Sequence, residues 1–193
     1  MNALFPIEHR YPPGFSYTPD FINREEEQVL LKEISRIELH SFLFQGYEAR
    51  RRVASFGYDY SFEKRTLSKG REIPAAFHWL IVQVARCTDL QPESFAELLV
   101  TEYPVGAVIN WHRDAAPFGL IAGISLSADC TFRLRPQEKG KQTRSSIVSL
   151  PIARRSLYII AGEARVAWQH STLPVKAVRH SITFRTLKAD QQH

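Results

Sequence analysis

Short apolar runs separated by turn residues dominate the chain after about residue 95. Glycine and proline punctuate these runs, as at Gly106, Gly123, Gly162 and Pro174. Many short strands with such punctuation are typical of an antiparallel sandwich or barrel. The runs that we predict as strands are residues 98–103, 108–112, 120–127, 131–134, 147–150, 156–160, 164–170 and 181–187.

The first part of the chain has a helical pattern instead. Four prolines in residues 1–20 predict an extended arm. Asn23 followed by Glu26 predicts a capping box, and apolar residues then recur at helical spacing over residues 29–37. A second helix is predicted to begin at Pro74, because a proline at the first helical position lacks only an N–H that has no partner there.

Composition and charge narrow the class of protein. The chain has 193 residues, a hydrophobic content of 44% and a net charge of +5, which indicate a globular protein with a weak preference for polyanionic partners. The two cysteines, Cys87 and Cys130, are far apart and predict no disulfide framework. No apolar stretch is long enough to cross a bilayer, and no signal peptide is evident. We therefore expect a cytoplasmic protein that does not contact membranes.

His112-Arg113-Asp114 is the motif with the clearest chemistry. Side chains two apart on a strand point to the same face, so His112 and Asp114 can point inward together. His170, on a later predicted strand, can join them across the facing strands of a jelly roll. Two histidines and one carboxylate form the facial set that holds Fe(II) and leaves positions open for oxygen and a co-substrate. The pattern predicts an iron-dependent oxygenase.

The order of the residues makes this motif more specific than the triplet alone. Seven histidines and six aspartates in 193 residues would produce such a triplet about 0.2 times by chance. Here His170 follows on a late strand, and Arg179 and Arg185 lie on the strand after it. Arginine binds a carboxylate with two hydrogen bonds, which suits the far carboxylate of a 2-oxoglutarate co-substrate.

At these residues the sequence resembles the AlkB-like Fe(II)- and 2-oxoglutarate-dependent dioxygenases. The resemblance covers roughly residues 98–187, and the segment 52–60 also looks like the substrate lid of that family. It implies an α+β, mostly β fold: a double-stranded β-helix, or jelly roll, with flanking N-terminal helices and a substrate lid. The motifs that carry it are Tyr103-Pro-Val-Gly-Ala107, Trp111-His112-Arg113-Asp114, Gly123-Ile-Ser-Leu126, Ser156-Leu-Tyr158, Gly162-Glu-Ala-Arg165, His170 and Arg179-His-Ser-Ile-Thr-Phe-Arg185.

The resemblance also implies a domain organisation and roles for the iron ligands. Residues 1–193 would form a single domain, with helices and the nucleotide lid in 1–95 and the jelly-roll core in 96–188. The catalytic iron ligands would be His112, Asp114 and His170.

Four further residues would bind the co-substrate. By the resemblance, Tyr103 would donate its hydroxyl to 2-oxoglutarate, and Arg179 would pair with the C5 carboxylate. Arg185 would lie near the C1 carboxylate and the substrate. Thr101 stands where the family has an asparagine that meets the co-substrate. Ala116 stands where some DNA-repair members have an acidic residue that touches the flipped base.

The reaction that the resemblance implies is oxidative dealkylation of an N-alkylated base. The cofactors would be Fe(II), with 2-oxoglutarate and dioxygen as co-substrates, and the products an aldehyde, succinate and CO2. The partner would be alkylated DNA or RNA, single-stranded or with the base flipped out, in DNA repair or RNA demethylation. We expect the protein to act as a monomer.

Two basic stretches with nearby aromatic residues predict nucleic-acid contacts. Cations suit phosphate groups, and aromatic rings suit stacked bases. A solvated basic face is the other interpretation of the same residues. The predicted contacts are Arg51, Arg52, Phe56, Tyr58, Tyr60, Arg133 and Arg135.

Other functions remain open at this point. The same chemistry could modify tRNA, or it could hydroxylate a protein or a small molecule. A jelly-roll binding module without catalysis is a further alternative, and the intact set of three ligands argues against it.

Overall fold

The computed structural model describes residues 11–44, 47–61 and 63–189. Within these residues the helices are α1 (Arg24–Ile34), α2 (His78–Thr88) and α3 (Gly162–Val166). None of them is long and apolar enough to span a membrane. The strands are β1 (Phe15–Thr18), β2 (His40–Phe44), β3 (Tyr47–Ser61), β4 (Thr66–Lys69), β5 (Phe95–Tyr103), β6 (Ile109–His112), β7 (Phe118–Leu126), β8 (Cys130–Pro136), β9 (Val148–Ile152), β10 (Leu157–Ile160), β11 (Trp168–Thr172) and β12 (Arg179–Leu187).

The strands form two sheets that pack face to face. The larger has the order β1-β10-β7-β12-β5-β3-β2, with β4 paired to β3, and the smaller has the order β6-β11-β8-β9. Phe15 and Ile160 of the larger sheet share a buried cluster with Phe132 and Leu150 of the smaller one. The predicted jelly-roll fold is confirmed.

The larger sheet separates two environments. Alternate residues of a strand point to opposite faces. Ile182 and Phe184 of β12 share a buried cluster with Leu30 of α1 and Leu80 of α2. Burying each such side chain stabilises the fold by roughly 1.5–3 kcal/mol. Because the helices cover this face, the odd-numbered residues 179–185 point to the other face, toward the smaller sheet.

The two predicted helices are present. The side chain of Asn23 accepts the backbone N–H of Glu26 at 2.8 Å, and the Glu26 carboxylate accepts the N–H of Asn23 at 2.8 Å. The predicted capping box is thus confirmed at the start of α1. The second helix differs slightly, because a 3-10 turn (Ala75–Phe77) follows Pro74 and α2 begins only at His78.

Glu27 anchors α1 to the rest of the fold. Its side chain is fully buried. It accepts a hydrogen bond of 2.6 Å from Arg154 and one of 2.8 Å from the backbone N–H of Ser127. Burial raises the pKa of this carboxyl, but the hydrogen bonds and charge of its partners lower it more, so the net pKa lies below the ordinary value.

The substitution Glu27→Gln is expected to lower the free energy of unfolding at neutral pH by about 2 kcal/mol, because hydrogen bonds to a charged group contribute roughly 1.5–3 kcal/mol. The folded-state pKa lies below the unfolded one, so this stabilisation is present above the unfolded pKa. It is lost as the pH falls through the folded pKa. Urea unfolding across acidic pH values should show the gap between wild type and variant closing. Glu25→Gln, on the exposed face of α1, is the control, and a gap that widens toward acid would contradict the prediction.

Two stretches differ from their sequence predictions. Of the predicted arm, residues 1–10 lie outside the described residues, and Phe15–Thr18 form strand β1, which pairs antiparallel with β10. Phe15 joins the core there, stacking on Phe132. Residues 164–170 are not one strand. Gly162, with a φ of +48°, opens the short helix α3 before β11 begins at Trp168.

Strand β3 contains the segment that resembles the family lid. It spans fifteen residues and pairs with β2, β4 and β5. Gly57 has a φ of +80°, and a Cβ there would clash with the carbonyl oxygen of Ala96, so this position requires glycine. At Gly57 the alternation changes, so that even-numbered side chains before and after it point to opposite faces of the sheet. Phe56 packs in the helix-side core, whereas Tyr58 and Tyr60 pack on the opposite side of the sheet.

Candidate active site

Strands β6 and β11 bring the three predicted iron ligands together. They pair with His112 opposite His170, and Asp114 follows two residues after the end of β6. Oδ1 of Asp114 lies 3.6 Å from Nε2 of His112 and 3.3 Å from Nε2 of His170. One ligand atom from each residue lies within 4.8 Å of the others, so the three could hold a metal ion.

The protonation of His112 suits metal binding. Its Nδ1 lies 2.8 Å from the carbonyl oxygen of Asn110. Because a carbonyl only accepts, Nδ1 carries the proton and Nε2 presents its lone pair to the site. Burial and the neighbouring His170 lower the pKa of His112 to about 4. The ring is therefore neutral at pH 7, which is the form that ligates a metal.

Arg185 lies against Asp114 instead of projecting freely into the site. Its Nε and Nη2 each lie 2.7 Å from Oδ2 of Asp114, and its Nη1 donates to Glu97. Burial raises the pKa of Asp114, but Arg185 and the two histidines lower it more, well below its usual range. Asp114 is thus ionised, with Oδ1 facing the histidines. Glu97 was not predicted, although a glutamate within the apolar run of β5 is itself a signal of a buried partner.

Arg165 fixes the loop that follows Asp114. It is buried on α3 and donates from Nη2 to the carbonyl oxygens of Ala115 at 2.7 Å and Phe118 at 2.9 Å. Its Nε donates to the carbonyl oxygen of Gly119 at 3.1 Å. Arg165 ends one of the quoted motifs, but the sequence alone does not indicate these contacts with carbonyl oxygens. By holding the loop, Arg165 holds the carboxylate of the triad in place.

A second polar cluster lies between β5, β7 and β12. Arg179 and Tyr103 are both buried and paired across the strands, and the guanidinium carbon lies 4.9 Å from the tyrosine ring centre. Arg179 Nε donates to Oγ of Ser125 at 3.0 Å, and the Tyr103 hydroxyl lies 3.4 Å from Oγ of Ser181. Thr101 is buried two residues before Tyr103 on the same face of β5. The two serines were missed, because serine on an apolar strand carries no distinctive signal.

Tyr158 bounds this cluster on the β10 side. It lies opposite Gly123, where any Cβ would clash with its ring, so glycine is required for the ring to lie across β7. Burial, and then the neighbouring Tyr103, raise the pKa of its phenol above the ordinary value, so the hydroxyl stays protonated. Its ring lies 5.0 Å from that of Phe132, which stacks on His170 at 5.4 Å. Tyr158 therefore links the arginine cluster to the triad.

A cavity of about 960 Å³ opens over the triad, and its wall includes His112 and Asp114. This volume is in the range of small-molecule sites. Strand β3 contributes Arg51 and Tyr60 to the wall, and Arg51 is close enough to interact electrostatically with Asp114. Tyr58 packs beside this wall in a small apolar cluster.

Two predicted substrate residues of β3 lie away from the cavity. Arg52 donates to the carbonyl oxygen of Leu39 at 2.9 Å and pairs with Glu102 at 3.5 Å. Phe56 is buried in the core under the helices. Both lie on the face of β3 opposite Arg51, because side chains alternate along a strand. The burial of Phe56 corrects its predicted role in base stacking, whereas a contact between Arg52 and nucleic acid stays a prediction.

Arg133 and Arg135 also lie outside the cavity, and their contact with nucleic acid stays a prediction. Their guanidinium carbons lie 4.7 and 4.5 Å from the ring centre of Trp111, and each arginine is hydrogen-bonded to β11. Phe132, in the same strand, points into the core between the sheets. The alternation of β8 therefore directs both arginines to the outer face of the smaller sheet, away from the cavity.

The donor set fits Fe(II), since two imidazoles and one carboxylate converge in a site that opens to a cavity. The sequence profile of the 2OG-Fe(II) oxygenase superfamily matches residues 14–186. The chain belongs to this superfamily and is a 2-oxoglutarate-dependent dioxygenase, which uses Fe(II), 2-oxoglutarate and dioxygen. Its predicted AlkB-like character is confirmed by the relatives that follow.

Two curated relatives cover most of the chain. The tRNA (carboxymethyluridine(34)-5-O)-methyltransferase ALKBH8 of Mus musculus is 27% identical over 187 residues, which are 94% of this chain and 26% of that protein. The Alkylated DNA repair protein ALKBH8 homolog of Arabidopsis thaliana is 26% identical over 179 residues, which are 82% of this chain and 50% of that protein. The chain thus spans about a quarter to a half of the length of these relatives.

Solved structures share the fold at low sequence identity. OsALKBH1 superposes with a TM-score of 0.73 at 14% identity, covering 91% of this chain and 98% of the other. A Pseudomonas putida prolyl-4-hydroxylase superposes with a TM-score of 0.62 at 15% identity, covering 91% and 94%. These matches support the jelly-roll architecture alone.

Proposed function

We propose that the chain oxidises an alkyl substituent on a base of a nucleic acid, with Fe(II) held by His112, Asp114 and His170. The observation that carries this proposal is the cavity over the triad, whose wall presents the cation Arg51 and the aromatic Tyr60. A cation suits phosphate, and an aromatic ring suits a stacked base. Oxidative dealkylation of an N-alkylated base in DNA or RNA is the reaction that we assign first.

The residues of the jelly-roll core, 96–188, would bind and orient the reactants. When bound, Fe(II) with 2-oxoglutarate supplies the activation of dioxygen. Arg179 would pair with the C5 carboxylate of 2-oxoglutarate, and Tyr103 would donate its hydroxyl to it. Both side chains are buried, so water competes poorly for these contacts. Thr101 lies beside them as a further candidate contact.

A second candidate is stable modification of a tRNA base by the same chemistry. The name of the Mus musculus relative, a tRNA methyltransferase, favours it. Methyl transfer is not carried over, because the chain matches only 26% of that protein. The two candidates share the site and differ in the fate of the hydroxylated carbon, which leaves with the aldehyde in dealkylation and stays on the base in modification.

We expect an alkylated nucleic acid to stimulate succinate formation from 2-oxoglutarate in the presence of Fe(II). The panel is N-alkylated adenine and cytosine in single-stranded DNA and RNA oligonucleotides, total tRNA, and a proline-rich peptide. Mass spectrometry of the bases separates the candidates, since dealkylation removes the alkyl group and stable modification adds one oxygen atom. Turnover of 2-oxoglutarate with no change in any nucleic acid would refute the substrate class and leave the oxygenase assignment standing.

The neighbours Arg51 and Arg52 provide a matched control for the same experiment. Arg51 lines the cavity and Arg52 does not, so Arg51→Ala should raise the KM for the nucleic acid about tenfold, the equivalent of one lost contact of about 1.4 kcal/mol. Arg52→Ala should leave this KM near the wild-type value. Equal effects of the two substitutions would mean that β3 does not present the substrate as proposed.

A further inference from the structure

The buried glutamate Glu97 is connected to the predicted iron ligand Asp114 through one intervening side chain, that of Arg185. Glu97 is on β5, opposite Arg185 of β12, and its side chain is 4% exposed. Its Oε2 accepts a hydrogen bond from Nη1 of Arg185, and its Oε1 accepts one of 3.1 Å from Oγ of Ser55. Both carboxylate oxygens are therefore occupied, one by β12 and one by β3. Burying a carboxylate costs free energy, and these two hydrogen-bond partners offset that cost.

Arg185 connects this glutamate to Asp114. Its Nε and Nη2 both bond the same oxygen of Asp114, Oδ2, at 2.7 Å. The other oxygen, Oδ1, lies 3.6 and 3.3 Å from the Nε2 atoms of the two histidines. The arginine thus occupies one oxygen of the carboxylate and leaves the other for the metal.

The position of Arg185 depends in turn on Glu97. A guanidinium is a planar fork, and a partner on each side fixes its plane. Asp114 holds one side and Glu97 holds the other. Without Glu97, the Nη1 side would lose its anion, and the guanidinium could rotate away from Oδ2. Asp114 would then be able to present both oxygens to a metal.

We propose that Glu97 is a positioning residue that, by holding Arg185 on Oδ2 of Asp114, keeps Asp114 a one-oxygen ligand of the iron. The proposal rests on the proposed role of Asp114 as an iron ligand. It gives a function to a buried charge that is itself neither a predicted iron ligand nor a predicted 2-oxoglutarate contact. Ser55 extends the chain of contacts to β3, the strand that also carries Arg51 to the cavity.

The test is metal binding by purified protein, with activity as a second readout. Anaerobic Fe(II) titration should show a loss of affinity of roughly 10- to 100-fold in Glu97→Leu, the effect typical of losing a residue that orients a metal ligand. Glu97→Gln should recover most of this loss, because its amide oxygen still accepts from Arg185. Co(II) absorption should report a higher coordination number in the leucine variant than in wild type or Glu97→Gln, because Asp114 would bind through both oxygens.

Glu27→Gln is the matched control. Glu27 is also a buried carboxylate paired with an arginine, but it lies on α1 away from the triad. It should lower stability and leave Fe(II) affinity and the Co(II) spectrum as in wild type, which separates positioning from general destabilisation.

Wild-type affinity and spectrum in folded Glu97→Leu would overturn the proposed role of Glu97. If the leucine variant does not fold, Glu97→Asp takes its place, because its carboxylate is one methylene too short to hold Arg185, and unchanged affinity there would overturn the proposal equally. Failure of the triad assignment gives a different result: His112→Ala would then bind Fe(II) as tightly as wild type.

Discussion

Replacing Asp114 with alanine is expected to abolish Fe(II)-dependent turnover of 2-oxoglutarate. The substitution removes the ionised oxygen that faces Nε2 of both His112 and His170 at 3.6 and 3.3 Å. It also leaves the buried Arg185 with one carboxylate in place of two. Two imidazoles alone hold Fe(II) less tightly than the full set of three ligands. Turnover should therefore fall by more than about a thousandfold, equivalent to roughly 4 kcal/mol of lost transition-state stabilisation.

Succinate formation and anaerobic Fe(II) titration measure this effect together. Asp114→Asn keeps the size of the side chain and removes its charge, so its Kd for Fe(II) should be higher than that of wild type. Asp59→Ala is the control, because Asp59 is a carboxylate of the same cavity wall that lies outside the triad. If Asp114→Ala retains wild-type Fe(II) affinity while Asp59→Ala loses it, the ligand set has been assigned to the wrong carboxylate.

The triad could be proposed from the sequence because two of its three residues lie close together in the chain. His112 and Asp114 are two residues apart, and the pairing of His112 with His170 requires only that β6 and β11 be neighbours. The alternation of side chains along β3 was not enough to predict which of its residues face the cavity. Gly57 reverses the facing of β3, which puts Phe56 and Tyr60 on opposite sides of the sheet although both occupy even positions.

The partners of buried charges were the hardest to predict. Arg165, Glu97 and Ser125 act through contacts with residues that are 46 to 88 positions away in the chain. Sequence spacing does not encode such contacts, since they depend on sheet register and on which face a strand presents. The basic pair Arg133 and Arg135 shows the same limit, because the charge pattern alone does not reveal that the register of β8 places both residues outside the cavity.

Arg179→Met is expected to raise the KM for 2-oxoglutarate by at least about a hundredfold, because removing one partner of a buried ion pair costs roughly 3–5 kcal/mol. The arginine is 3% exposed, so water would not readily replace the two-pronged contact that we propose with the C5 carboxylate. Arg179→Lys keeps the charge and loses the fork, so its KM should lie between those of wild type and Arg179→Met. Tyr103→Phe should raise the KM less than either arginine variant, since it removes a single hydroxyl.

Fe(II) titration separates loss of the co-substrate from loss of the metal. Arg179 contacts Ser125 and Tyr103, not the triad, so Arg179→Met should bind Fe(II) as wild type does while its KM for 2-oxoglutarate rises. Tyr17→Phe is the control for removing a tyrosine hydroxyl, because that hydroxyl accepts the backbone N–H of Ala153 at 3.0 Å and has no predicted role with the co-substrate. A folded Arg179→Met protein with an unchanged KM would show that 2-oxoglutarate binds elsewhere. In that case the cluster of Arg179, Tyr103 and Ser125 would be a structural element of the larger sheet.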